Sequence, residues 1–168
     1  DLFFLGGAQI DGQANINLVG TGRPPGSAAR LPGNFGSAFM AFTVPRIILF
    51  REEHSPRVMV PKVDYVSAPG VSPPGVYRRG APQALVTGRC VFAFDAARAR
   101  FVLASLHPGE TRASVRAATG FDYDEPADVP ETRGPSDDDR AALAGPIRAA
   151  LEDTYPQFSA RVFGARAA

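Results

Sequence analysis

Two apolar runs, Leu2-Phe3-Phe4-Leu5 and Ile47-Ile48-Leu49-Phe50, constrain what this chain can fold into. Neither alternates with polar residues, which is the pattern of strands buried inside an α/β sheet. The first run breaks at Gly6-Gly7, where the backbone can turn sharply. It then enters a polar turn, Gln9-Ile10-Asp11, followed by a short strand over Asn15 to Val19. A loop rich in Gly, Pro and Ser covers Gly20 to Ala29. Asn34 is placed to cap a helix over Phe35 to Thr43, with Phe35, Ala38, Phe39 and Phe42 on one face. Pro45 ends it.

The remaining pattern predicts extended segments at Arg57 to Val60 and Val63 to Val66, bent at Pro61. After a loop over Ala68 to Pro82 it predicts strands at Ala84 to Phe94 and Arg100 to Leu106, joined as a hairpin. Thr111 caps a helix ending at Gly120. Asp122 to Pro135 forms an acidic, Pro-rich strap. Ser136 or Asp137 caps a last helix, kinked at Gly145-Pro146, with Leu143, Ile147, Ala150 and Leu151 on one face. Strands and helices alternate, so the class is α/β, read as a single domain over residues 1–168.

Net charge is +1, too small for a nucleic-acid-binding surface. Of eighteen basic residues only Lys62 is a lysine. The one cysteine, Cys90, excludes an internal disulfide and reads as a buried strand residue. No apolar run reaches membrane-spanning length and no secretory signal pattern is present, so a cytoplasmic protein is expected, with no membrane and no nucleic acid among its partners.

The glycine-containing loop Pro32-Gly33-Asn34-Phe35-Gly36-Ser37 leads into the first turn of a helix, where amides lack internal partners. Such amides can meet an anion or the developing oxyanion of a thioester under attack. As an ordinary loop-to-helix junction the same pattern needs no ligand. Gln9, Asp11 and Asn15 can hydrogen-bond a carboxylate or thioester carbonyl, or simply close their own turn. His54 and His107 have no partner at metal-ligand spacing and read as loop histidines; no metal site is expected. Glu52 and Glu53 are adjacent, so their side chains diverge, as at a solvated strand end. The motifs of serine hydrolases, dinucleotide folds and P-loops are absent.

Several collinear segments resemble the beta subunits of family I CoA-transferases, of the glutaconate or 3-oxoadipate type. Phe4-Leu5-Gly6-Gly7-Ala8-Gln9-Ile10-Asp11 is similar to the family's FLGAAQID, and Asn15-Ile16-Asn17 to its GNIN. Arg30-Leu31-Pro32-Gly33 resembles the opening of RLPGSGGA, with Asn34-Phe35-Gly36-Ser37 where the family has SGGA. Lys62 to Gly70 resembles KVDFITSPG, and Phe101 to Gly109 is close to FVLTSLHPG. The resemblance implies an open sheet of the NagB/RpiA/CoA-transferase-like type, shortened at its N-terminus, paired with a homologous alpha subunit. It implies a coenzyme A thioester as substrate, no bound cofactor, and transfer of CoA to a carboxylate through a glutamyl-CoA intermediate. The family's glutamate motif lies upstream of the first strand and is not in this chain, so no catalytic residue is assigned here. Substrate-binding or oxyanion roles fall on Gln9, Asn15, Gly33, Asn34, Gly36 and Ser37. Relatives in steroid-ring degradation hydrolyse a carbon–carbon bond in a CoA thioester instead, and a non-catalytic binding protein is a third expectation.

Overall fold

The computed structural model describes residues 1–22 and 28–164. They form two compact units, 1–132 and from Arg133 onward. The strands of the first are β1 (Leu2–Gly6), β2 (Gln9–Ile10), β3 (Ile16–Asn17), β4 (Gly20–Thr21), β5 (Ala29–Arg30), β6 (Arg46–Arg51), β7 (Ala81–Thr87), β8 (Cys90–Asp95) and β9 (Arg100–Leu106). Five of them make an open sheet in the order β1-β6-β7-β8-β9. Strands β1, β6 and β7 run parallel, and β7, β8 and β9 continue the sheet as an antiparallel meander. Two small antiparallel pairs, β2 with β3 and β4 with β5, lie outside it. Part of the predicted loop over Gly20 to Ala29, residues 23–27, lies outside the described residues.

The core sits on one face of this sheet. Leu5, Ile47, Leu49, Leu85, Phe92, Phe101 and Leu103 are buried there against Ile10, Ile16, Val58 and Met59. Phe92 packs against Phe101 and Tyr123 at ring separations of 5.8 and 4.9 Å. Strand β1 is not buried on both faces as its apolar run suggests. Among the described residues it pairs with β6 alone, and Leu2 and Phe4 are exposed, as is Phe50 on β6. Its unbroken apolar run carries no alternation to mark the difference.

The predicted strand from Ala84 to Phe94 is two strands separated at Gly88-Arg89. Glycine fits this turn because any Cβ at position 88 would overlap the Glu52 carbonyl, to which the Gly88 amide donates at 3.0 Å. Residues 57–66 form no strand. Their apolar side chains Val58, Met59 and Val63 are buried, but the backbone of 58–60 spends hydrogen bonds on Ile10 at 2.8 and 3.0 Å instead of on the sheet.

Helix α1 spans Ser37–Thr43, starting two residues later than its apolar spacing predicts. Asn34 does not cap it with its side chain, and only Ala41 is buried. Helix α2 (Arg112–Ala118) has the predicted Thr111 cap, reciprocated by Ser114. The 122–132 strap runs along β9, bridging at Asp124 and Glu131.

The second unit is helical. Helix α3 (Asp137–Ala142) is capped by Ser136 and leads into a π-helical turn over Leu143–Ile147. The predicted kink lies within that turn, where Gly145 leaves helical geometry before Pro146. Helices α4 (Arg148–Thr154) and α5 (Pro156–Phe163) follow, divided at Tyr155-Pro156. Leu143 and Ile147 on the predicted apolar face are partly exposed.

Candidate functional site

In an open α/β sheet the chain turns away from each parallel strand at its C-terminal end and leaves a crevice there. Here β1 ends at Gly6 and β6 at Arg51, and a cleft of about 1060 Å³ opens beside both. One wall is Gly6-Gly7-Ala8; another is the loop Gly33 to Ser37 with Met40. Phe3, Leu18 and Phe50 make the lining mainly apolar, and Arg51, Glu52 and Glu53 supply charge. Gly7 matters to this wall, since a Cβ there would come within 2.8 Å of Ile16.

The loop brings Gly33, Asn34, Gly36 and Ser37 into this cleft together. Gly33 has φ +104°, a conformation suited to glycine. Phe35 also has positive φ, +46°, and its side chain is 87 % exposed, so it is held out over the loop without packing. The Ser37 amide is closed onto the Asn34 carbonyl at 2.9 Å, and the Ser37 hydroxyl donates to the same oxygen. Asn34 Oδ1 is buried and unpartnered among the described residues, as is Arg51 Nε.

Gln9 and Asn15 lie elsewhere. Gln9 is buried, donating to Asp64 at 2.9 Å and accepting from Asn17 Nδ2 at 2.6 Å and the Asp64 amide at 3.0 Å. Pairing of Gln9 with Asn17 across β2 and β3 sets that direction. Asn15 lines a second, more polar cleft of about 670 Å³ with Asp11, Lys62, Arg98 and Arg100. Its carboxamide is engaged, donating to Asp11 at 3.1 Å and accepting from the Gly70 amide at 3.2 Å. The alternative reading of this turn, side chains closing their own backbone, describes the geometry found.

The sequence reading left Glu52 and Glu53 at a solvated strand end and did not single out Arg51. The available signal was their position directly after an apolar run read as a parallel strand. Hydrogen bonds from Ser55 and Arg57 hold the Glu53 carboxyl below its ordinary pKa, and Arg51 Nη2 stands 3.5 Å from it. His54 follows these residues but turns inward and is buried. The Thr119 hydroxyl donates to the Val115 carbonyl, so its oxygen accepts from His54 Nε2–H at 2.8 Å. His54 Nδ1 faces the Thr87 hydroxyl at 2.8 Å, and that hydroxyl is also placed to donate to the Cys90 carbonyl at 3.0 Å. Burial, helped by Arg89, pushes this imidazole down to about 4, so it is neutral near pH 7. Burial likewise pushes the Cys90 thiol up to about 12, which makes it an inert core residue. His107 binds the Thr87 carbonyl and Thr132 hydroxyl and fixes the turn before α2.

No protein-family model matches the chain. It is 31 % identical to the B-type subunit of 3-oxoadipate CoA-transferase from Pseudomonas knackmussii over 149 residues, 85 % of this chain and 57 % of that protein. It is 34 % identical to the B-type subunit of glutaconate CoA-transferase from Acidaminococcus fermentans over 128 residues, 72 % of this chain and 47 % of that protein. The fold agrees with the crystal structure of A. fermentans glutaconate coenzyme A-transferase at TM-score 0.77 and 28 % identity, over 89 % of this chain and 59 % of that one. The chain belongs to the beta-subunit family of family I CoA-transferases. It spans about half the length of the curated relatives it matches. The fold serves several proteins: Rhodococcus jostii IpdAB matches at TM-score 0.77 and 28 % identity, over 86 % of this chain and 58 % of that one. The decarboxylase AibA/AibB matches at 0.75 and 25 %, over 98 % of this chain and 61 % of that one.

Proposed function

We propose that this chain is a beta-type component of an acyl-CoA:carboxylate CoA-transferase and works with a homologous alpha subunit. The carrying observation is the position of the Gly33–Ser37 loop: it lines one cleft with the Gly6-Gly7-Ala8 turn, at the C-terminal ends of parallel strands. That cleft would hold the CoA thioester, with loop amides near the carbonyl oxygen as attack makes it negative. The attacking glutamate comes from outside this chain. Attack on the thioester expels CoA thiolate and leaves an acyl-glutamyl anhydride. The thiolate then attacks the glutamyl carbonyl, releasing the acyl group as a carboxylate and leaving glutamyl-CoA. Glu53, ionised and bound to Arg57 and Ser55, serves the wall and not the chemistry.

A second reading has support in the loop itself. Phe35 stands over it and the Ser37 amide is occupied, which leaves fewer loop amides open to a thioester oxygen and suits a protein that binds a CoA thioester without transferring CoA, either hydrolysing a carbon–carbon bond of the acyl part or only binding. One assay separates these. The isolated assembly is given an acyl-CoA and an isotopically labelled carboxylic acid. Label appearing in CoA thioester supports transfer; an acyl-CoA product that has gained water in its acyl part, without labelled thioester, supports hydrolysis. Saturable CoA binding with neither product leaves a binding protein, and absence of binding overturns the assignment of the cleft.

A further inference from the structure

Helix α1 carries the Gly33–Ser37 loop at its N-terminal end, yet little of its own surface holds it in place. It has seven residues, too few to be stable alone. Of its side chains only Ala41 is buried, while Phe39 and Met40 are exposed. What fixes its far end comes from a distant stretch of chain. The Arg79 amide donates to the Phe42 carbonyl at 2.9 Å, and the Arg78 guanidinium lies over the Phe42 ring, 5.3 Å from its centre.

Arg78 is itself tied down. Its Nε donates to the Gly80 carbonyl at 2.6 Å, and its Nη1 to the Pro69 carbonyl at 2.8 Å and the Ser72 hydroxyl at 3.3 Å. Among the described residues each oxygen it binds is neutral, so no carboxylate offsets the burial that lowers its pKa. The strap it closes, residues 69–80, is pinned at both ends. A Cβ at Gly70 would overlap the Gln13 carbonyl, and one at Gly80 the Pro45 carbonyl. The guanidinium thus takes its position from fixed backbone and passes it to α1 through one aromatic face. A planar fork can bind carbonyls from two stretches of chain and stack on a ring at the same time; an ammonium cannot.

The loop is then held between two anchors. On one side the Gly33 amide donates to the Leu18 carbonyl at 3.0 Å. On the other, α1 leads to Phe42 and Arg78. Arg78 is not among the residues lining the cleft, so it acts on a ligand there only through α1. We infer that Arg78 is a positioning residue: by clamping the end of α1 it sets where the Gly33–Ser37 loop presents its backbone to the cleft. The inference rests on reading this cleft as the thioester site.

The test compares Arg78→Lys and Arg78→Ala with the unaltered protein, each in the assembly in which it is isolated. R78K keeps the charge and loses the fork, so it guards against a folding defect in R78A. The first measurement is amide hydrogen exchange, which needs no substrate. Exchange should quicken about tenfold at Ser37, Met40, Val44 and Arg79 in both variants, the size of one lost anchoring bond, and stay unchanged in β8 and β9. Equal exchange in all three proteins overturns the clamp. Exchange that quickens throughout the sheet shows a general loss of stability and overturns it too. The second measurement is turnover of an acyl-CoA at a temperature where all three proteins remain folded. The kcat should fall about tenfold while KM changes less than about twofold, because the loop matters most as the carbonyl oxygen becomes negative. Unchanged kcat alongside quickened exchange in α1 overturns the role in the reaction. An unaltered protein that neither binds nor turns over acyl-CoA, with exchange quickened only at α1 in the variants, overturns the reading of the cleft and leaves the clamp standing.

Discussion

Asp11 joins four donors from separate stretches of chain. Its Oδ1 accepts from the amides of Gln13 and Asn15 at 3.0 and 3.1 Å. Its Oδ2 accepts from Asn15 Nδ2 at 3.1 Å and the Val63 amide at 3.3 Å. Replacing it by alanine strands several sheltered donors, each costing on the order of 1–3 kcal/mol when unpaired. Asp11→Ala should therefore lower the urea-unfolding free energy by about 3 kcal/mol; a loss below about 0.5 kcal/mol would show that water replaces the carboxylate. The local half of this network was legible, because Asp and Asn near a glycine turn bond their own backbone. The closure by Val63 and by Gly70 was not, since no local rule pairs residues so far apart. His54 shows the same division. Its neighbours in sequence are charged, yet it is buried between Thr87 and Thr119. Its native pKa of about 4 lies below the ordinary 6.5, so the unfolded chain binds more protons between these values. Stability is complete above pH 6.5 and falls as pH drops towards 4, by as much as about 3 kcal/mol from this group. Melting curves across that range should show the decline, and His54→Gln should flatten it. An unchanged slope in the variant would mean that other groups cause it.

Among the elements, α1 shows how far periodicity reaches. Its apolar residues do recur at helical spacing, and a helix forms. The spacing does not say which face meets the core, and here Phe39 and Met40 are exposed while Ala41 is buried. Phe35 is not in the helix; it occupies a left-handed conformation that costs a non-glycine residue roughly 1–2 kcal/mol. Phe35→Gly should thus leave the melting temperature unchanged or raise it, although an aromatic side chain is removed. It should also let a ligand approach the loop backbone more closely and tighten CoA binding. A clear drop in melting temperature would show that the ring packs in solution. Capping chemistry was the most legible signal at this scale: Thr111 and Ser136 both start helices with reciprocal partners. The turn at Gly88 was hidden because Val86-Thr87 and Val91-Phe92 read as one apolar stretch unless the close approach of Glu52 is known.

At the scale of the molecule, the open α/β sheet was legible from its apolar runs, and the family from collinear segments. The sheet order was not, because pairing of Leu2 with Arg46 leaves no local trace. That mixed order has a kinetic consequence. The meander β7-β8-β9 joins neighbours in sequence, such as Val86 with Val91, at small loop-closure cost. Contacts between β1 and β6 must wait for a long excursion of chain, so they should form after the rate-limiting step. Phe92→Ala should then slow refolding in stopped-flow experiments, whereas Leu5→Ala should mainly speed unfolding. Equal effects of both on the refolding limb would show that β1 docks early. If the order holds, the wall of the cleft built by Gly6-Gly7-Ala8 is the last part of the sheet to assemble and the first to open. A ligand bound there would act as a brake on unfolding and leave the rate of folding almost untouched.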